Sequence, residues 1–290
     1  MNNGNILKNL AELSERSDLL DEERNICISV FAEDLIGKHQ DLRSETIYKA
    51  FSEFIGEKAT LKDKITFCKI FCLKNNIKSI FEIQPFSDSV TSVTPGSHGK
   101  ISFVRNDYND MAFDCFSRSI PHSKAVYFSN FEECCEAISD GSVEFTIFPI
   151  ENTSDGKMFS FYTLMDRYDL KICAICNIDC EALSKIVTFA LVGKRFISEN
   201  IEKTNSKKSQ FFEFSLSCDT EANSHDIFSL SSEFGAKVIR ASSLSLHYST
   251  NMTRFYYTFA LSENTDLMAF LTYLWLEYPQ YNPIGLFREL

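Results

Sequence analysis

Three consecutive polar residues, Glu151, Asn152 and Thr153, follow the apolar run EFTIFPI and precede Ser-Asp-Gly. A carboxylate, an amide and a hydroxyl in one short loop could hold a small polar ligand, because together they offer both donors and acceptors. An apolar run of that length reads as a buried strand, and the carboxyl ends of strands are where α/β sheets bind ligands. Asn and Asp also close turns by local hydrogen bonds, with Gly156 supplying a positive φ. The segment therefore reads equally as a ligand-facing loop or as a turn. Cys173, Cys176 and Cys180 show a C-x2-C-x3-C spacing, but within a strand-like run, with no second pair and no nearby His. The five histidines stand singly, and neither HExxH nor GxSxG occurs. No metal site and no cofactor are expected.

The elements that must position these residues follow from periodicity. Residues 1–84 read as three or four helices: leucines recur near helical spacing from Leu7 to Leu20, and SETIYKAFSEFIG and TLKDKITFCKIFCLKNN continue the pattern. Ser44 with Glu45 and Thr60 with Asp63 look like helix starts, and Gly56 like a stop. Residues 85–99, rich in Ser, Thr, Pro and Gly, read as a linker. From 100 to 207 strands alternate with helices, which implies an α/β lobe with a parallel or mixed sheet. Residues 208–290 read as strand, helix, strand, strand, helix, strand, the ferredoxin-like βαββαβ order of an α+β domain.

Composition narrows the partners. A net charge of -11 and scattered Lys and Arg oppose a phosphate-binding surface, so no nucleic acid is expected. No apolar run approaches about 18 residues and the N-terminus is polar, which argues against a membrane span or a signal peptide. The ten cysteines, mostly inside apolar runs, read as buried thiols of a cytoplasmic protein. The 27 Phe and 11 Tyr fall on strand alternations and apolar helix faces, where core packing accounts for them.

The order FEECCEAISDG followed by PIENTSDG resembles the signature of the prephenate dehydratases, in which these elements form one wall of the active site. The resemblance spans about residues 100–290. In that family a Gly-rich turn after the first strand offers amides and a hydroxyl to the substrate carboxylates. Here the run is FVRNDYNDMAF, which puts Asn106 and Asp107 in the substrate-facing turn and Asn109 at the helix N-cap. The family's Thr-Arg-Phe motif corresponds to Val187, Thr188 and Phe189, leaving Thr188 as the hydroxyl nearest the catalytic position. An intact Thr253-Arg254-Phe255 lies in the C-terminal portion instead. Only CEALSK separates the two strands between which the family builds a second lobe, so a single lobe is expected.

The C-terminal order resembles an ACT domain, which implies a homodimer and a regulatory amino-acid site at Asn223, Ser224 and Ser243. The helical N-terminus sits where bifunctional relatives carry chorismate mutase, yet Arg16, Arg24, Lys38 and Arg43 are interleaved with acidic residues. The resemblance implies a catalytically degenerate relative in aromatic amino-acid metabolism. Such a protein would sense a small aromatic acid or amino acid, or serve interaction alone. The contrasting expectation is an active dehydratase using Asn152, Thr153 and Thr188.

Overall fold

A computed structural model describes residues 3–39, 43–56, 59–83, 86, 99–120, 122–180, 185–196, 210–218, 222–245 and 253–290. The linker expected at 85–99 falls outside these, except for Phe86 and Gly99. Contacts divide the chain into two compact units, Met1–Ile83 with Leu267–Pro279, and Gln84–Asp266 with Gln280–Leu290.

The first unit is helical: α1 (Asn3–Lys38), α2 (Ser44–Ile55), α3 (Leu61–Lys74) and α8 (Leu267–Glu277). Thr60 and Asp63 form the capping box expected of them, each side chain bonding the other's backbone N–H at the start of α3. Arg24 of α1 then grips the same carboxylate through two bonds, Nε to Oδ1 at 3.0 Å and a second guanidinium nitrogen to Oδ2 at 2.7 Å. Burial pushes the Asp63 carboxyl up, but the bonds from Arg24 and Thr60 outweigh it and hold the group below the ordinary range. Gly56 ends α2 with φ 61°. Ile28, Ala32, Ile36, Phe51, Phe67 and Phe71 fill the core. In α8, Ala269 to Leu274 are buried consecutively, as in a helix apolar on every side.

The second unit is built on one ten-stranded mixed sheet. Its strands are β1 (Lys100–Val104), β2 (Lys124–Phe128), β3 (Phe145–Asn152), β4 (Gly156–Lys157), β5 (Lys171–Cys180), β6 (Lys185–Gly193), β7 (Gln210–Cys218), β8 (Lys237–Ser245), β9 (Thr253–Leu261) and β10 (Asn282–Glu289). The order is β2-β1-β3-β6-β5-β10-β7-β9-β8, with β4 paired to β3. Helices α4 (Asp107–Ser117), α5 (Phe131–Ser139), α6 (Phe159–Tyr168) and α7 (Ala222–Glu233) belong to this unit. β1 runs parallel to β2 and β3, as alternating strands and helices predict. β5 and β6 form an antiparallel hairpin joined through residues 181–184, so no second lobe is inserted between them.

β10-β7-β9-β8 are antiparallel neighbours, the βαββαβ strand order expected of the C-terminal segment. They do not stand apart as a separate sheet, because β10 also pairs in parallel with β5. That join needs Gly285, where a Cβ would lie 2.7 Å from Ile172 Cβ and from Phe287 Cδ1. A core of Phe148, Ile150, Phe161, Tyr162, Ile172, Tyr256 and Phe287 runs beneath both halves of the sheet.

One local expectation is corrected. The N-cap of α4 is Asn106, with extended backbone and its side chain accepting from Asn109 N at 2.9 Å. Asn109 lies a turn inside the helix, buried, and donates its amide to Val104 O at 2.5 Å. The strand ends at Val104, so the chain turns three residues earlier than the family register suggests.

Candidate functional site

The curl of the sheet builds the cleft. β3 and β8 are separated by β6, β5, β10, β7 and β9, yet Glu151 of β3 forms an ion pair with Arg240 of β8. Edge and interior strands thus approach across a concave face, enclosing a cleft of about 180 Å³. Its walls are apolar, Ile150, Ile175, Phe211, Ile239 and Phe287.

The polar lining falls into two tiers. The inner tier is buried: Lys157 Nζ donates to Glu213 Oε1 at 2.8 Å and to Tyr162 Oη at 2.6 Å, and Thr258 Oγ1 donates to Glu213 Oε2 at 2.8 Å. Both charged side chains are 2% exposed, and every charged atom has a partner, which is the condition for keeping an ion pair out of water. Burial, reinforced by the neighbouring Glu213, pushes the Tyr162 phenol well up, so it stays protonated.

The outer tier follows strand register. Glu151 faces Thr188 across β3–β6, and Thr188 faces Asn177 across β6–β5. Thr188 Oγ1 donates to Asn177 Oδ1 at 2.7 Å, and Asn177 Nδ2 donates to Glu289 Oε1 at 2.5 Å. Partial burial lowers the pKa of Arg240, whose guanidinium lies 43% exposed at the rim against Glu151.

Of the residues singled out in sequence, the cleft brings together Glu151 and Thr188. Asn152 is buried behind it, its Oδ1 accepting from Ser154 N and Asp155 N at 2.9 and 2.7 Å, with Gly156 at φ 73°. That is the turn reading of the Asn-Thr-Ser-Asp-Gly segment. Thr153 Oγ1 accepts from Ile186 N at 3.2 Å and ties the turn to β6. Asn106 and Asp107 are exposed at the start of α4 and do not line the cleft. Ser243 is exposed on β8, and the side chains of Asn223 and Ser224 lie outside the described residues.

Arg254 of the intact Thr-Arg-Phe triplet opens β9 and bonds Asp166 Oδ2 of α6 at 2.7 Å, away from this cleft. The cysteines of β5 are buried free thiols, with Cys173 pushed up to about 12 by burial, so they are neither nucleophiles nor ready ligands. Among the described residues no group of three or more His, Cys, Asp or Glu converges as a metal site. No described helix is long and apolar enough to cross a membrane.

Lys157, Asn177, Glu213, Arg240, Thr258 and Glu289 were not anticipated. The available signal was a charge or amide within an apolar alternation, as in FFEFSL. In β7, buried on both faces, such a residue must find a partner; β8 is exposed or half-exposed from Lys237 to Leu244, so Arg240 carried no such signal.

Chemically, the cleft is lined by three carboxylates and two cations, both cations already paired. None of its lining residues is Ser, Cys or His. The Thr188 hydroxyl donates its proton to the neutral amide of Asn177.

Residues 106–183 match the family model for prephenate dehydratase. In fold the chain is similar to the prephenate dehydratase of Streptococcus mutans, with a TM-score of 0.55 and 15% identity over 66% of this chain and 98% of that one. It is also similar to a protein described as a novel type of quorum-quenching acylase, with a TM-score of 0.50 and 18% identity over 67% and 96% of the two chains. The prephenate dehydratase of Arthrobacter aurescens, solved in complex with L-Phe, gives a TM-score of 0.49 at 11% identity over 65% and 89%. No curated protein matches the sequence.

Proposed function

We propose that this chain, a relative of the prephenate dehydratases through its α/β lobe, is a catalytically degenerate member that binds a small ligand in aromatic amino-acid metabolism. The observation that carries this reading is the state of the two cations in the cleft. Prephenate is a dianion, and a site that turns it over must offer positive charge where its carboxylates sit. Here Lys157 is buried against Glu213 and Arg240 is held by Glu151. Three carboxylates against two cations leave a field that opposes a dianion.

The hairpin between β5 and β6 supports the same reading, since a cleft walled by one lobe excludes less water and orients a substrate less strictly. An acylase activity like that ascribed to the quorum-quenching relative would need an activated nucleophile, and Thr188 lacks a basic partner. The reading also includes dimerisation through the ACT-like half. Among the described residues β8 is the terminal strand of the sheet, the position from which the same strand of a second copy could extend it. The described cysteines are all free thiols, which suits a cytoplasmic setting.

The test is direct. Purified protein incubated with prephenate should form no phenylpyruvate above the uncatalysed background. Robust turnover that is lost in Thr188→Val would replace this proposal with an active dehydratase.

A further inference from the structure

We infer that the cleft admits a zwitterionic amino acid with an apolar side chain by exchanging partners with its own Glu151–Arg240 ion pair. This inference rests on the reading of the cleft as a ligand site and names the chemistry it selects. An internal pair of a carboxylate and a guanidinium at the mouth of a cleft is the mirror of a zwitterion. If the ligand's carboxylate takes Arg240 and its ammonium takes Glu151, every charge present before binding still has a partner afterwards. A plain carboxylate would take Arg240 but leave Glu151 unpaired in a partly buried site. A plain amine would leave Arg240 unpaired, and a dianion would leave one of its own charges facing acids.

The outer tier fits the ammonium. Residues directly opposite on neighbouring strands lie about 4.5–5.5 Å apart at Cβ, and Glu151, Thr188 and Asn177 are opposite in succession across β3, β6 and β5. An ammonium has three donors. The Glu151 carboxylate and the Thr188 hydroxyl oxygen, whose own proton goes to Asn177, are acceptors directly opposite each other on neighbouring strands, within reach of one ammonium. The Arg240 guanidinium approaches the same row from β8 and can hold a carboxylate through two bonds. The remaining lining, Ile150, Ile175, Phe211, Ile239 and Phe287, suits an apolar side chain, and about 180 Å³ accommodates one as large as a phenyl ring. The inner Lys157–Glu213 pair closes the base and takes no part.

The full chain is titrated calorimetrically with three probes of one side chain: L-phenylalanine, 3-phenylpropanoate and 2-phenylethylamine. L-leucine, 4-methylpentanoate and 3-methylbutylamine repeat the series. The expected result is binding of the amino acid at least about 30-fold tighter than either half-molecule, the loss on stranding one charge. Glu151→Gln should reverse the order in favour of the carboxylate, and Arg240→Gln in favour of the amine. Both side chains are at the rim, and melting curves of the variants check that they fold. Equal binding of amino acid and half-molecules, or no reversal in the variants, overturns partner exchange while leaving a ligand cleft. No binding by any of the six overturns both the exchange and the ligand-site reading.

Discussion

Lys157→Met offers the strongest test of how the concave face is held. The ammonium contributes a 2.8 Å bond to Glu213, a 2.6 Å bond to Tyr162, and a position 4.4 Å from the Tyr162 ring centre. With both charged side chains 2% exposed, solvent cannot take over for the lost partner. Removing one member of a buried pair costs about 3–5 kcal/mol, because the remaining charge is stranded. Domains of this kind are stable by about 5–15 kcal/mol in total, so the variant should unfold at a much lower urea concentration. The double variant Lys157→Met/Glu213→Leu removes both charges and should recover part of that loss; the remainder is the Thr258 hydroxyl left without its acceptor and the Tyr162 phenol left without its Lys157 donor. Adding Thr258→Val and Tyr162→Phe should recover that remainder. Urea titration followed by far-UV circular dichroism reads the effect. Trp275, the sole tryptophan, lies in the helical unit and so reports on that unit separately. A loss below about 1 kcal/mol in the single variant, or a double variant no better than the single, would refute the reasoning that burial makes this pair costly to break.

Gly285→Ala should destabilise the second unit by about 1–3 kcal/mol, since the added methyl meets Ile172 and Phe287 at 2.7 Å; an unchanged urea midpoint would show that β5 and β10 can part without cost. Asn106→Ala should cost about 1 kcal/mol as the lost cap of α4, with binding of small ligands to the cleft unchanged; a binding defect would return Asn106 to the site. Asp63 supplies a pH signature. Its folded pKa lies below its unfolded value near 3.9, so its contribution is complete above that pH and is lost as pH falls through the folded pKa. The Trp275-monitored midpoint of the parent should therefore drop more steeply below about pH 4 than that of Asp63→Asn, and parallel curves would remove Arg24–Asp63 from the account of the helical unit.

The elements of the sheet were legible because their signals are local. KISFV, EFTIFPI and IVTFALVG are apolar runs of strand length, and β1, β3 and β6 lie on them; Thr60 and Asp63 announce α3 by a box that only a helix start can satisfy. The start of α4 was misplaced because Asn106 and Asn109 are equally good caps by type, and only the end of β1 decides between them. The site was legible in part. Glu151 shares its strand end with the recognised signature, and Thr188 is placed by register with it, but Arg240 and Glu213 are brought in by the curl of a sheet whose strands are distant in sequence. No periodicity encodes which end strands of a long mixed sheet approach each other. The clustering of α8 with α1 and α3 is non-local for the same reason: a helix apolar on every side announces burial, not the partner that buries it.

The Glu-Asn-Thr loop divides its labour in a way that bears on ancestry and activity together. Asn152 and Thr153 are consumed by the turn, accepting three backbone N–H groups between them, so they hold β3 and β4 in place whether or not a ligand binds. Glu151, one residue earlier and on the opposite face of the strand, is left to the cleft. Polar residues that serve the turn are required by the fold whatever the activity, so their presence does not itself report catalysis. On the proposal above, what would separate a working dehydratase from a binding module is the sign and freedom of the charge facing Glu151. In this chain that charge is Arg240, delivered by the C-terminal half of the sheet, so the Glu151–Arg240 contact ties that half to the lobe alongside the β5–β10 pairing and the buried Lys157–Glu213 pair.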